Sequence, residues 1–216
     1  MTIKYLWGAA LALSLLGCTN LERSRDTANP RVSGPTLAQQ VCANCHGVTG
    51  NPVSPNFPRL AGQQPEYLMA QLKDFRGHSR TDPAGFEYMW GLSHHLTDAQ
   101  IQQLADYYAS QPVVPASGMT PTSSERGDQI FHHGVPDRGV PACETCHGVQ
   151  GQGAGPIPRI AGQHADYIIK QLQVFQRTSE RPRGAAMKVV AHGLDPQDMV
   201  AVANYLQGLA WSTASK

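Results

Sequence analysis

The sequence predicts an all-α protein made of two tandem copies of one small helical domain. Two observations carry this. Segments about 100 residues apart repeat each other: NFPRLAGQQPEYLMAQLKDF is answered by PIPRIAGQHADYIIKQLQVF. Within them the apolar positions fall three to four apart, as in Tyr67, Leu68, Leu72 and Phe75, echoed by Tyr167, Ile168, Leu172 and Phe175. No stretch alternates with period two for long enough to make a sheet.

The elements follow in chain order. Lys4 precedes an apolar run, residues 5–17, that is short for a membrane span and suits an export signal. Leu15-Leu16-Gly17-Cys18 closes it and resembles a bacterial lipoprotein signal, which predicts cleavage after residue 17 and lipidation of Cys18. Simple cleavage and a retained anchor are the alternatives. Residues 18–33 are polar and aperiodic and read as a tether. The first domain spans 34–111, the linker 112–121 and the second domain 122–209. Pro112, Pro115 and Pro121 punctuate the linker region.

Inside each copy a short helix comes first, from Thr36 to Cys45 and from Ser124 to His132. Pro65 suits the first turn of a helix over 66–76. Thr97 and Gln100 make a capping box for the last helix of domain one, and Asp195-Pro196 opens its counterpart.

The chain has five cysteines. Four lie in CANCH (Cys42, Cys45, His46) and CETCH (Cys143, Cys146, His147), each the attachment signature of a c-type haem. Two thiols three positions apart reach two vinyl groups of one porphyrin, and the adjacent histidine offers an imidazole to the iron. Two covalently bound haem c groups are therefore expected. The chain is 41% apolar but only 7% aromatic, a thin core that two porphyrins would fill out.

A ligating histidine needs an acceptor for its other ring nitrogen. The carbonyls of Pro58 and Pro158, in the repeated PRLAG and PRIAG segments, are the candidates. For the sixth iron position, Met89 and Met187 each lie seven residues before the leucine that opens the last helix, Leu96 and Leu194. That shared offset favours them over the unmatched methionines. His94 and His192 also share a register, and bis-histidine ligation is the alternative. Arg59 and Arg159 are candidate partners for haem propionates.

These features together resemble diheme cytochrome c4 over about 36–209. The resemblance implies two class I cytochrome c-like domains related by pseudo-twofold symmetry. It implies attachment through Cys42, Cys45, Cys143 and Cys146, and axial ligation by His46 with Met89 and by His147 with Met187. It also implies a periplasmic electron carrier working between membrane-bound respiratory partners. The donor would be a bc1-type complex or a dehydrogenase, the acceptor a cbb3-type or other terminal oxidase. Trp90, the Ser93-His94-His95 run and the Arg177, Arg181, Arg183 set depart from the family pattern.

Lys and Arg total 17 against 16 Asp and Glu, with no basic cluster, so nucleic acid is not an expected partner. Cys18 predicts attachment to the membrane through an N-terminal lipid, on its periplasmic side. A fixed haem subunit of a larger complex is the alternative to a tethered carrier. The absence of a spare cysteine near either haem signature, and the matched methionines, lead to the expectation that the chain is not an enzyme.

Overall fold

A computed structural model describes residues 20–114 and 125–210; Cys18 and much of the expected linker lie outside the described residues. The fold is all-α, with two helical domains and internal symmetry. Among the described residues there is no strand, only two isolated bridges, Val135–Val140 and Ala154–Ile157.

Domain one begins with α1 (Gly34–Leu37), capped by the Ser33 side chain on the Thr36 amide, with proline in the first turn. The helix widens into a π-helical turn, Ala38–Cys42, and continues as α2 (Ala43–His46). Next comes α3 (Pro65–Arg76). A second π-helical stretch, Gly85–Met89, runs into α4 (Trp90–Ser93). Last is α5 (Asp98–Ala109), where both arms of the Thr97–Gln100 capping box form.

Domain two contains α6 (Glu125–His133), α7 (Glu144–His147), α8 (Ala165–Arg177), α9 (Ala185–His192) and α10 (Pro196–Gly208). The helix expected as partner to the first signature helix forms, but it does not run into its signature. Gly134 and Gly139 at positive φ, with Pro136 and Pro141 between and after them, break the helix. The Val135–Val140 bridge, closed by amide bonds of 2.8 and 3.1 Å, turns the chain back toward Cys143.

In each domain the first and last helices cross at a glycine. A Cβ on Gly34 would lie 2.4 Å from the Gln103 Cβ, and one on Gly127 would lie 2.3 Å from the Ala201 carbonyl oxygen. This close approach lets Leu37, Ile101, Leu104 and Tyr108 pack in one core, and Ile130, Phe131, Met199, Val202 and Leu206 in the other. Each such side chain contributes about 1.5–3 kcal/mol of apolar burial.

Polar groups join the domains. Gln64 Nε2 donates to the Gln152 carbonyl at 2.8 Å, and His164 Nε2 stands 3.1 Å from the Pro52 carbonyl oxygen, its counterpart in the repeat. Arg183 binds both oxygens of Asp74, at 3.0 and 2.8 Å. Arg80 forms a two-pronged pair with Asp82, at 2.7 and 3.1 Å, and both residues are buried. Burial raises the Asp82 pKa, but the hydrogen bonds and charge of Arg80 outweigh it and hold the carboxyl below its usual range. Arg181 reaches across to Tyr67 at 3.1 Å and Gln71 at 3.0 Å.

Candidate haem sites

The candidate attachment residues sit on single helical turns. Cys42 and Cys45, three apart, project from one face, and His46 follows at the end of α2. Cys143, Cys146 and His147 repeat this at α7. Gly47 (φ 75°) and Gly148 (φ 82°) end both turns in a region closed to side chains, so the chain can double back over the histidine. Burial pushes the Cys42 and Cys143 thiols up to about 11, keeping them protonated and uncharged at neutral pH.

The returning loop is pinned by one carbonyl. Gly50 accepts from the Leu60 and Ala61 amides at 2.8 and 3.1 Å; Gly151 accepts from Ile160 and Ala161 at 2.8 and 3.0 Å. This places the Pro58 oxygen 3.1 Å from His46 Nδ1 and the Pro158 oxygen 2.9 Å from His147 Nδ1. Both rings are 8% exposed. With Nδ1 donating to a carbonyl, Nε2 is the nitrogen left for iron. Burial lowers the pKa of each imidazole, with the proline carbonyl acting in the opposite direction. A neutral imidazole is the form that binds metal. Paired thiols beside such an imidazole fit a covalent c-type haem in both domains.

Met89 closes the π-helical stretch of domain one and is half-buried. Met187 lies in the first turn of α9, half-buried against the core of domain two. The two segments differ in backbone form although their sequence offsets agree. His94 Nδ1 is 3.0 Å from the Gly91 carbonyl and His192 Nδ1 is 2.8 Å from that of Lys188, each within its own turn of chain. Arg59 and Arg159 turn to backbone carbonyls. Arg59 Nη1 donates to Val114 at 2.7 Å, and Arg159 Nη2 donates to Ala61 of the other domain at 2.9 Å. Burial, and then the charge of Arg59, bring the Arg159 pKa down to about 10.

Sequence reasoning missed the interdomain glutamines. Gln63 Oε1 accepts from the Arg159 amide at 2.6 Å while its Nε2 donates to the Arg159 carbonyl at 2.9 Å. Gln163 does the same to Arg59, at 2.8 and 3.1 Å. The available signal was a glutamine kept at the same place in both copies, at the end of the PRLAG and PRIAG segments.

Two helical domains, each with a paired-cysteine turn and a carbonyl-bound histidine, define a two-domain c-type cytochrome. The cytochrome c family model matches residues 32–111 and 124–210. Cytochrome c-552 of Acidithiobacillus ferridurans is 43% identical over 177 residues, covering 81% of this chain and 76% of the relative. Cytochrome c4 of Thiocapsa roseopersicina is 39% identical over 183 residues, covering 82% and 92%. A solved cytochrome c4 structure from Acidithiobacillus ferrooxidans aligns with a TM-score of 0.73 at 44% identity, covering 78% of this chain and 98% of that one. The chain belongs to the diheme cytochrome c4 family. It carries two covalently bound haem c groups and has the family's role, a periplasmic electron carrier between membrane respiratory complexes.

One expectation is corrected. A thiosulfate dehydrogenase electron acceptor from Stutzerimonas stutzeri (strain A1501) is 31% identical over 177 residues, covering 80% of each chain. Thiosulfate dehydrogenase (TsdBA) from Marichromatium purpuratum aligns with a TM-score of 0.69 at 33% identity, covering 85% of this chain and 41% of that one. A similar two-domain unit thus occurs within a thiosulfate dehydrogenase. Counting spare cysteines near the signatures does not exclude a catalytic context, because the fold can serve as one part of a longer catalytic chain.

Proposed function

We propose that the chain is a lipid-anchored diheme relay held at the periplasmic face of a membrane by Cys18. Residues 1–17 act as a signal peptide, 18–33 as the tether and 112–121 as the linker between haem domains 34–111 and 122–209. Cys42 and Cys45 attach one haem, Cys143 and Cys146 the other. His46 and His147 are the proximal ligands, oriented by Pro58 and Pro158, and Met89 and Met187 complete the iron coordination. Bound haem supplies reversible one-electron storage. The protein supplies neutral imidazoles, fixed ring orientation and thioether donors, which leave the coordination sphere little changed between oxidation states.

The supporting observation is the repeated Nδ1–H bond to a proline carbonyl beside each cysteine pair. The donor proposed is a bc1-type complex or a dehydrogenase, and the acceptor a cbb3-type or other terminal oxidase. A reductive titration of the holoprotein should take up two electrons per chain, and membranes containing the oxidase should reoxidise both haems. Uptake of one electron, or reoxidation of only one haem, would contradict the relay. Labelled fatty acid should enter the wild-type chain and not Cys18→Ser; equal labelling would remove the anchor.

The TsdBA match favours a second reading, a haem-carrying part fixed beside a catalytic subunit. Co-purification in detergent separates the two, because a fixed part stays with its complex through salt washing and a tethered carrier does not.

A further inference from the structure

We propose that Gln63 and Gln163 are positioning residues that act across the domain interface, each tuning the proximal histidine of the opposite domain. The inference rests on His46 and His147 being iron ligands.

The argument turns on one peptide unit in each domain. The Pro158–Arg159 peptide offers its carbonyl oxygen to His147 Nδ1–H at 2.9 Å. Its N–H, on the other side of the same planar group, donates to Gln63 Oε1 at 2.6 Å. The Pro58–Arg59 peptide likewise joins His46, at 3.1 Å, to Gln163 Oε1, at 2.8 Å. Proline at this place confers no special donor; it is the arginine amide that carries the link.

Amide orientation is fixed by the surroundings. Gln63 Oε1 also accepts from the Gln64 amide at 2.9 Å, and Gln163 Oε1 from the His164 amide at 3.0 Å. Two N–H donors converge on each of these atoms, so it must be oxygen and not nitrogen. Both glutamines are 4% exposed, so little water competes. In such surroundings successive hydrogen bonds polarise one another, strengthening each by on the order of 10–30%. An acceptor on the N–H makes the proline carbonyl a better acceptor for the histidine. A stronger bond at Nδ1 makes the imidazole a more basic ligand, which favours ferric iron.

The consequence is crossed. Gln63 belongs to domain one but bears on the haem held by Cys143 and Cys146. Gln163 belongs to domain two but bears on the haem held by Cys42 and Cys45.

The test is a redox titration of the holoprotein followed by NMR, with haem methyl and His Nδ1–H resonances assigned to their domains. Gln63→Met, close in shape but without the acceptor, should raise the midpoint potential of the second-domain haem and shift the His147 Nδ1–H resonance. The first-domain haem should move less. Gln163→Met should give the mirror result, so either variant suffices if the other fails to fold. General loosening of the interface would move both haems alike. Equal shifts, a larger shift in the variant's own domain, or no shift would overturn the proposal. His147→Ala separates the two levels of the argument. If both haems stay low-spin in it, the ligand assignment falls and the proposal with it. If one haem loses its low-spin state while Gln63→Met moves nothing, only the cross-domain link falls.

Discussion

In domain one the chain enters its signature from an unbroken helical run, Gly34 to His46, and carries Met89 on a π-helical turn. In domain two it leaves α6 at His133, crosses the Val135–Val140 bridge before Cys143, and carries Met187 on a regular helix. The surfaces beside the methionines differ as well. Domain one exposes Phe86, Tyr88, Trp90 and Leu92, and stacks His78, Trp90 and His94 with ring centroids 5.0 Å apart at each step. Domain two has Gly184, Ala186, Lys188 and Val190 at the matching positions. Yet the bonds from His to proline, from the loop to Gly50 or Gly151, and from glutamine across the interface are the same in both. The repeat has kept what lies within a few bonds of the histidine, including the glutamine that reaches it across the interface. It has varied what lies outside that shell.

The comparison is broken most severely at the histidines. His46→Ala should abolish low-spin ligation at one haem and leave the other intact, and His147→Ala should do the reverse, as read in the ferric absorption spectrum. Loss at both sites from one change would mean that the domains do not bind haem independently.

A smaller effect is expected at the interface, where the symmetry is incomplete. Domain one supplies the buried Arg80–Asp82 pair, and domain two contributes Arg181 to the same region without an aspartate of its own. Asp82→Asn leaves Arg80 without its charge partner and should cost about 3 kcal/mol in denaturant unfolding. The Asp82 pKa is lowered by folding, so its contribution is full above the ordinary aspartate value and is lost as pH falls through the folded value. Asp82→Asn should therefore flatten the acid limb of the stability profile. An unchanged limb would show that the pair does not control it.

The glycine crossings test whether the two cores are equally close-packed. Gly34→Ala and Gly127→Ala should each destabilise by about 1–3 kcal/mol, since the added methyl meets neighbouring atoms in both domains. A cost in only one domain would locate the better-packed core.

The smallest effect concerns Gln64 and His164, which occupy equivalent places. Burial, and then the charge of Arg59, lower the His164 pKa, with the Pro52 carbonyl working the other way. As pH falls below about 6.5 the unfolded chain takes up this proton before the folded one, so stability declines. His164→Gln should remove that slope, by under about 1 kcal/mol, while keeping a donor for the Pro52 carbonyl. A slope that persists would place its origin elsewhere.

Much of the fold was legible because the signals are local. Capping at Thr97 and Asp195, prolines at 65 and 196, and the three-to-four spacing of Tyr67, Leu68, Leu72 and Phe75 each specify a helix within a few residues. The Pro58 and Pro158 carbonyls were named from the repeat, and they lie beside the histidine rings. What was not legible depends on distant chain segments. The π-helical turn at Met89 has the same sequence offset as the α-helical one at Met187, because backbone winding there is set by packing on α3 and α8. The Gln63 and Gln163 bonds join residues 96 and 104 positions apart, and nothing local distinguishes a glutamine that crosses an interface from one that meets water. The non-enzyme expectation failed for a related reason. It was argued from the cysteines near the haem signatures and from the matched methionines Met89 and Met187, whereas a catalytic context can come from another part of a longer chain.

The most direct measurement of the central claim is the far-red absorption of the fully ferric holoprotein, where thioether-ligated haem iron gives a sulfur-to-iron charge-transfer band. If both domains close their iron with histidine and methionine, the band has the intensity of two haems and halves in either Met89→His or Met187→His. A band of one-haem intensity, or none, in the unmodified protein would contradict the paired assignment on which the equivalence of the two domains rests.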